Sequence, residues 1–179
     1  MPRIPPLGEG AEIAAVWETI TTLADNDVGT LLDLDTGVLS TTYDLYKIIY
    51  RVNNQTASNN TVRVRVNADN SSNYNSTEEG GGTDDILDVS GEFSWALTQM
   101  EPDLMSIGEY IIRGYAGDNP PTNPYPQAIG YGYGKHSTFT RNNILGGSLG
   151  VNINQVEQIR LFTAVNEATG IMRVLGMNF

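Results

Sequence analysis

Thr61-Val62-Arg63-Val64-Arg65-Val66-Asn67 alternates apolar and polar residues without exception. Successive side chains of a strand point to opposite faces, so Val62, Val64 and Val66 are predicted to face a core and Arg63 and Arg65 the outside. A one-residue slip would drive both arginines inward, and the pattern therefore specifies its own register. Just upstream, Tyr43 to Val52 reads as a second strand with Tyr46, Ile48, Tyr50 and Val52 on one face, separated from the first by the polar run 53–60. This period-two patterning predicts an antiparallel, half-buried sheet.

The same signals extend outward in both directions. Upstream, 11–23 is read as a strand because Thr19, Ile20, Thr21 and Thr22 are β-branched in a row, although Ile13, Val16, Trp17 and Ile20 also fit a helical face. A turn at 25–29 leads to a short strand at 30–34, stopped by Asp35-Thr36-Gly37. Downstream, 67–85 is polar, contains Gly80-Gly81-Gly82, and is predicted to be a long surface loop. Strands follow at 88–97, with Phe93 and Trp95, and at 107–115. Residues 118–126 form a proline-rich loop, and 128–140 one or two strands interrupted by Gly130, Gly132 and Gly134. Gly146 and Gly147 are expected to make a turn, and 156–162 with 171–177 a closing hairpin around Asn166 to Gly170. Eight or nine short strands without a strong helix predict an all-β fold, an antiparallel β-sandwich or jelly roll. Pro2, Pro5, Pro6, Gly8 and Gly10 mark residues 1–10 as an extended N-terminal arm, leaving 11–179 as a single sandwich domain.

Bulk composition narrows the function. The 179 residues carry a net charge of −11 with a pI near 4.3, which repels phosphate backbones and argues against nucleic acid as a partner. Eight arginines and two lysines make up the basic residues, and an acidic, lysine-poor chain suits a saline medium where self-repulsion is screened. Without cysteine there is no disulfide, thiolate nucleophile or cysteine-based zinc site. The start Met-Pro-Arg-Ile-Pro-Pro lacks the apolar run of a signal peptide, and no 18-residue apolar stretch predicts a membrane span.

Motifs for chemistry are sparse. His136, the one histidine, sits beside Ser137 but within a glycine–tyrosine strand and without a Gly-x-Ser-x-Gly elbow, so no catalytic residue is assigned. Gly130 to His136 fails as a phosphate loop: Ile129 stands where its first glycine belongs, and His136 follows Lys135. Asp33 and Asp35 share a strand face, and Asp84, Asp85 and Asp88 cluster after the glycine run. Paired acids are what glycoside hydrolysis needs, and loop carboxylates suit calcium or magnesium, so the second cluster is the metal candidate; no other cofactor is expected. Between Asn53 and Asn75 lie eight asparagines and four Asn-x-Ser/Thr sequons, at Asn54, Asn59, Asn70 and Asn75, which are glycosylation candidates. The same residues also serve as turn formers.

Tyr43-Asp44-Leu45-Tyr46-Lys47-Ile48-Ile49-Tyr50-Arg51-Val52, then Val62 to Asp69, then Asn73-Tyr74, resembles the exterior proteins of tailed viruses. There a tyrosine-bearing strand leads to a strand ending Asn-x-Asp and a loop ending Asn-Tyr. Val156 to Phe162 with Ile171 to Gly176 is similar to their closing hairpin. The resemblance covers about half of the chain and departs from the pattern at 78–85. It implies a jelly-roll-like sandwich, a homo-oligomer with a trimer favoured, and partners such as the major capsid protein or tail proteins. It also implies a place on the virion as capsid decoration, turret or tail part, after synthesis in the host cytoplasm; the acidic composition points to a virus of a salt-loving archaeon. Arg63, Arg65, Arg3 and Tyr50 are the interface candidates. The alternative is a carbohydrate-binding or host-attachment module, in which Tyr115, Tyr125, Tyr131 and Tyr133 stack on a host surface glycan. A hydrolase is the third reading and needs acids, or His136 and a hydroxyl, converging in a pocket.

Overall fold

The computed structural model describes residues 16–40, 43–79, 86–92, 94–113, 127–136, 139–149 and 155–178. All regular elements among them are strands: β1 (Glu18–Asp25), β2 (Leu31–Asp35), β3 (Leu45–Asn54), β4 (Asn60–Val66), β5 (Tyr74–Glu79), β6 (Ile86–Glu92), β7 (Trp95–Met100), β8 (Met105–Arg113), β9 (Gln127–His136), β10 (Phe139–Leu149) and β11 (Ile159–Met177). They form an antiparallel sheet in the order β6-β5-β10-β9-β8-β3-β11-β4-β7, nearly closed into a barrel, with β1 and β2 also on β11. The N-terminal arm lies outside the described residues.

The strand β11 organises this sheet. Its first part pairs with β2 and β4, Arg160 opposite both Asp35 and Arg65; its second part pairs with β1 and β3, Met172 opposite Leu23 and Tyr50. Both flanking chains break where β11 passes through 163–167, so the sheet turns a corner there. Polar side chains satisfy the interrupted backbone. Thr163 Oγ1 receives the Leu32 N–H (3.2 Å) and donates to the Asn166 carbonyl (3.0 Å), while Asn60 Nδ2 donates to that carbonyl at 2.8 Å. The sequence reading of a closing hairpin at 166–170 is therefore corrected. Asn166 to Gly170 has turn composition, but 159–163 and 168–177 each find a separate partner strand, and the segment becomes a bend within one strand.

The two strands that opened the sequence reading behave as predicted. Tyr46, Ile48, Tyr50 and Val52 of β3 and Val62, Val64 and Val66 of β4 are all buried. Across the core, β7 presents Trp95 and Leu97 to β5 and β8: Trp95 Nε1 donates to the Asn75 carbonyl at 3.1 Å, and the Tyr110 hydroxyl donates to the Leu97 carbonyl at 2.9 Å. Burying such aromatics is worth about 1.5–3 kcal/mol each, and these bonds keep their polar ends from subtracting from that gain.

Three further expectations change. Residues 67–85 are not all loop, because β5 runs through them and Tyr74 is buried, edge-on to Trp95 at 5.1 Å. The predicted strand at 88–97 is two strands, β6 and β7; Phe93 lies outside the described residues, as do the glycine run 80–82 and the loop 118–126. Gly146 pairs with Thr77 and Ile129, and Gly147 with Ser76 and Ala128, within β10 between β5 and β9 rather than turning.

The glycines of β9 do not interrupt it either. An added Cβ would lie 2.5 Å from Tyr110 Cδ1 at Gly130, 2.2 Å from Thr98 Cγ2 at Gly132 and 2.2 Å from the Gln99 carbonyl at Gly134. They form a bare strip against which Tyr50, Tyr110 and β7 pack, the close approach that only glycine permits.

Candidate contact face

Strand alternation leaves one face of β3, β8, β9 and the second part of β11 pointing away from the core. Polar side chains are the norm there in a half-buried sheet. Instead, Ile49 (39% exposed), Ile107 (45%), Ile129 (61%), Tyr131 (61%), Tyr133 (44%) and Ile171 (41%) stand outside. The register aligns them into cross-strand rows. One runs Ile171, Arg51, Ile107, Tyr133; the next runs Arg173, Ile49, Glu109, Tyr131. Between the rows lies a shallow concavity of about 440 Å³, floored by the isoleucines and walled by the two tyrosines.

The charges on this face are mostly positive, although the chain is strongly acidic. Glu109 is bonded to Lys47 at 2.9 Å, and the Lys47 ammonium also lies 4.8 Å from the Trp17 ring centre. Arg51 and Arg173 are exposed and, among the described residues, form no ion pair. An apolar floor with Tyr and Arg around it has the composition of protein contact surfaces. The sequence signal was the run of adjacent apolar pairs, Ile48-Ile49, Ile111-Ile112 and Ala128-Ile129, which marks a strand with apolar residues on both sides.

The interface candidates named from sequence are placed elsewhere. Tyr50 belongs to the core: its ring stacks on Tyr110 at 6.1 Å, its hydroxyl shares a 2.8 Å hydrogen bond with Thr98 Oγ1, and burial pushes its pKa up to about 12. A side chain so enclosed cannot serve as a contact residue, which corrects that reading. Arg63 reaches Glu92 (3.5 Å) and Ser94 Oγ (3.3 Å), and the Arg65 guanidinium lies 4.7 Å from the Phe162 ring centre. Both arginines are half-buried and engaged within the fold. Arg3 lies outside the described residues.

Asp84 and Asp85 also lie outside them; Asp88 stands in β6 opposite Thr77, its side chain not described. Among the described residues no group of three or more acids or histidines can hold a metal ion. Asp33 receives Arg160 through two bonds of 2.7 Å, and Asp35 receives Gln158 Nε2 at 2.8 and 2.9 Å, so this acid pair is occupied within the fold. The His136 side chain, Ser137, Tyr115 and Tyr125 fall outside the described residues.

Of the sequons, Asn54 is corrected. Its Nδ2 is the atom a glycan would take, but it is buried and donates to the carbonyls of Ser58 (2.8 Å) and Glu101 (2.9 Å). Asn59 and Asn70 are exposed; Asn75 is half-buried, and its carbonyl receives the Trp95 indole.

No protein-family model, curated protein or solved structure matches this chain.

The residues that carry the resemblance to viral proteins serve structure here. Asn67 Oδ1 receives the N–H groups of Glu157 (2.7 Å) and Gln158 (3.1 Å), and its Nδ2 donates to the Gln155 carbonyl at 2.6 Å. The Tyr74 hydroxyl receives the Val66 N–H and donates to the Asp69 carbonyl, each at 3.1 Å, and burial raises its pKa to about 12. Asn-x-Asp and Asn-Tyr thus clamp one turn to the segment leading into β11.

Proposed function

We propose that this chain is an exterior structural protein of a tailed-virus particle, a capsid decoration, turret or tail component, working through protein–protein contacts rather than catalysis. The observation that carries this reading is the exposed isoleucine–tyrosine face of β3, β8, β9 and β11. A contiguous apolar surface on a soluble domain has a cost in water that a bound partner removes. The proposed architecture is a jelly-roll-like sandwich, with β2, β4 and β7 facing β3, β8 and β9; side-chain bonds from Thr98 to Tyr50 and from Tyr110 to Leu97 across the core support it. The partners are the major capsid protein, tail proteins or further copies of the chain. Its place is the virion, after synthesis in the host cytoplasm, and the acidic, lysine-poor composition supports a salt-loving archaeal host.

Mass spectrometry of purified particles tests this reading. It predicts the chain at a fixed copy number, in a handful of copies for a tail or vertex part and hundreds for a shell decoration. Absence from particles overturns it.

A second reading, a host-attachment module, is favoured by one observation: Tyr131 and Tyr133 stand two apart on the same exposed face, as a sugar platform requires. Against it, the floor beside them is formed by Ile49 and Ile107, and Glu109, which stands opposite Tyr131, is already bonded to Lys47. Binding to a glycan array that Tyr131→Ala abolishes decides for this alternative.

A further inference from the structure

We propose that the occupant of the isoleucine–tyrosine face is a second copy of this chain, entering through the turn between β1 and β2. The inference rests on the reading of that face as a contact surface and names its partner.

Charge complementarity carries it. Among the described residues, the charges on the face that form no ion pair are the cations Arg51 and Arg173. Two copies laid face to face would bring like charges together, which selects against that packing. A surface that fits has acids next to apolar side chains, and the β1–β2 turn has both. Val28 is 75% exposed and Leu31 50%, and beside them stand Asp25 and Asp27, neither ion-paired among the described residues. Two aspartates thus meet two arginines while Val28 and Leu31 reach an apolar floor.

The turn is also set before it binds. Asp25 Oδ1 receives the Asp27 N–H (2.9 Å), Thr30 Oγ1 donates to the Asp27 carbonyl (3.2 Å), and the Thr30 carbonyl receives the Ala168 N–H (3.1 Å). Gly29 takes a φ of 96°, open to glycine and strained for other residues. A turn held this way loses little freedom on docking. Ala24 pairs with Ile171, so the turn begins where the face ends, and two copies can exchange turns reciprocally within one interface.

Light scattering on the size-separated, purified full chain tests the proposal. Wild type is expected as an oligomer. Arg51→Glu with Arg173→Glu, and separately Asp25→Lys with Asp27→Lys, are each expected to reduce the mass to that of the single 19.5 kDa chain. In an equimolar mixture of the two double variants the reversed face of one meets the reversed turn of the other. The opposite half of the interface keeps the wild-type arginine–aspartate pairing, and the oligomer is expected to be recovered. Arg51, Arg173 and Asp27 are exposed and Asp25 is half-buried, and unchanged circular dichroism and melting temperature show that the variants fold. A monomeric wild type, charge-reversed variants that still assemble, or a mixture that stays monomeric overturns the proposal. The reading of the face itself is scored separately by Ile107→Asp in particles. If that variant is excluded from particles while wild type is monomeric in solution, the face is a contact surface for another protein and only the self-docking fails.

Discussion

Gly132→Ala is the substitution that most sharply tests the packing described above. A Cβ at Gly132 would sit 2.2 Å from Thr98 Cγ2 and 2.8 Å from each of the Tyr50 and Tyr110 hydroxyl oxygens. Carbon atoms pack best at about 3.5–4.0 Å, so the methyl falls short of contact distance by more than about 1 Å. Overpacking of a tight core costs about 1–3 kcal/mol. The shift it forces also threatens the buried Tyr50–Thr98 bond, and an unsatisfied buried hydroxyl costs about 1–3 kcal/mol more. Against this stands a gain of about 0.5–1 kcal/mol from the stiffer unfolded chain. The net expectation is a loss of about 2–4 kcal/mol, a large share of the stability of a single domain. Urea titration followed by the fluorescence of Trp95, buried in this core, measures it. Thr98→Ser removes the clashing Cγ2 and keeps the hydroxyl, so in a double-mutant cycle it is expected to restore about 1 kcal/mol or more of the Gly132→Ala loss. A single variant within about 0.5 kcal/mol of wild type, or a strictly additive cycle, refutes the close approach of β9 to Tyr50, Tyr110 and β7.

Other expectations follow from the same contacts. Ala68 has a φ of 53° in the turn closed by the Asp69 N–H to Val66 carbonyl bond, so Ala68→Gly relieves left-handed strain and is expected to stabilise by about 0.5–1 kcal/mol; a lower melting temperature contradicts this. Tyr50 and Tyr74 ionise near 12 when folded and near 10 when unfolded, so the stability they add is complete below pH 10 and is lost as pH rises from 10 to 12. For Tyr50 alone the loss is about 2–3 kcal/mol. Ultraviolet titration is expected to show phenolates forming in a final step with unfolding, and complete ionisation by pH 10.5 in the folded protein contradicts it. In a host that glycosylates asparagine, glycopeptide mapping is expected to find sugar at Asn59 or Asn70 and none at Asn54, whose Nδ2 is doubly bonded in the core; an occupied Asn54 in folded protein refutes that burial.

What could be read from the sequence was what alternation encodes. The inward faces of β3 and β4 follow from period-two patterning alone, because burial of Tyr46, Ile48, Val62 and Val64 depends only on each strand's own residues. What stayed hidden depends on partners far along the chain. The 19-residue β11 looks like a hairpin because Asn166, Thr169 and Gly170 are turn formers; only its distinct neighbours, β4 and β3, keep it extended. The glycines of β9 look like breaks until the rings of Tyr50 and Tyr110 are set against them. Likewise, Arg63 and Arg65 point outward as expected, but whether an outward arginine is available depends on Glu92 and Phe162, neither adjacent in sequence. The contact face was present as adjacent isoleucines, yet its extent depends on four strands falling into register.

Hydroxyl-radical footprinting of the chain, free in solution and within purified particles, addresses the contact face most directly. The account predicts that oxidation of Tyr131, Tyr133 and Ile107 falls several-fold in the particle while exposed Val38 and Val165 react as before. Equal oxidation of the three in both states, with protection confined to other surfaces, contradicts it.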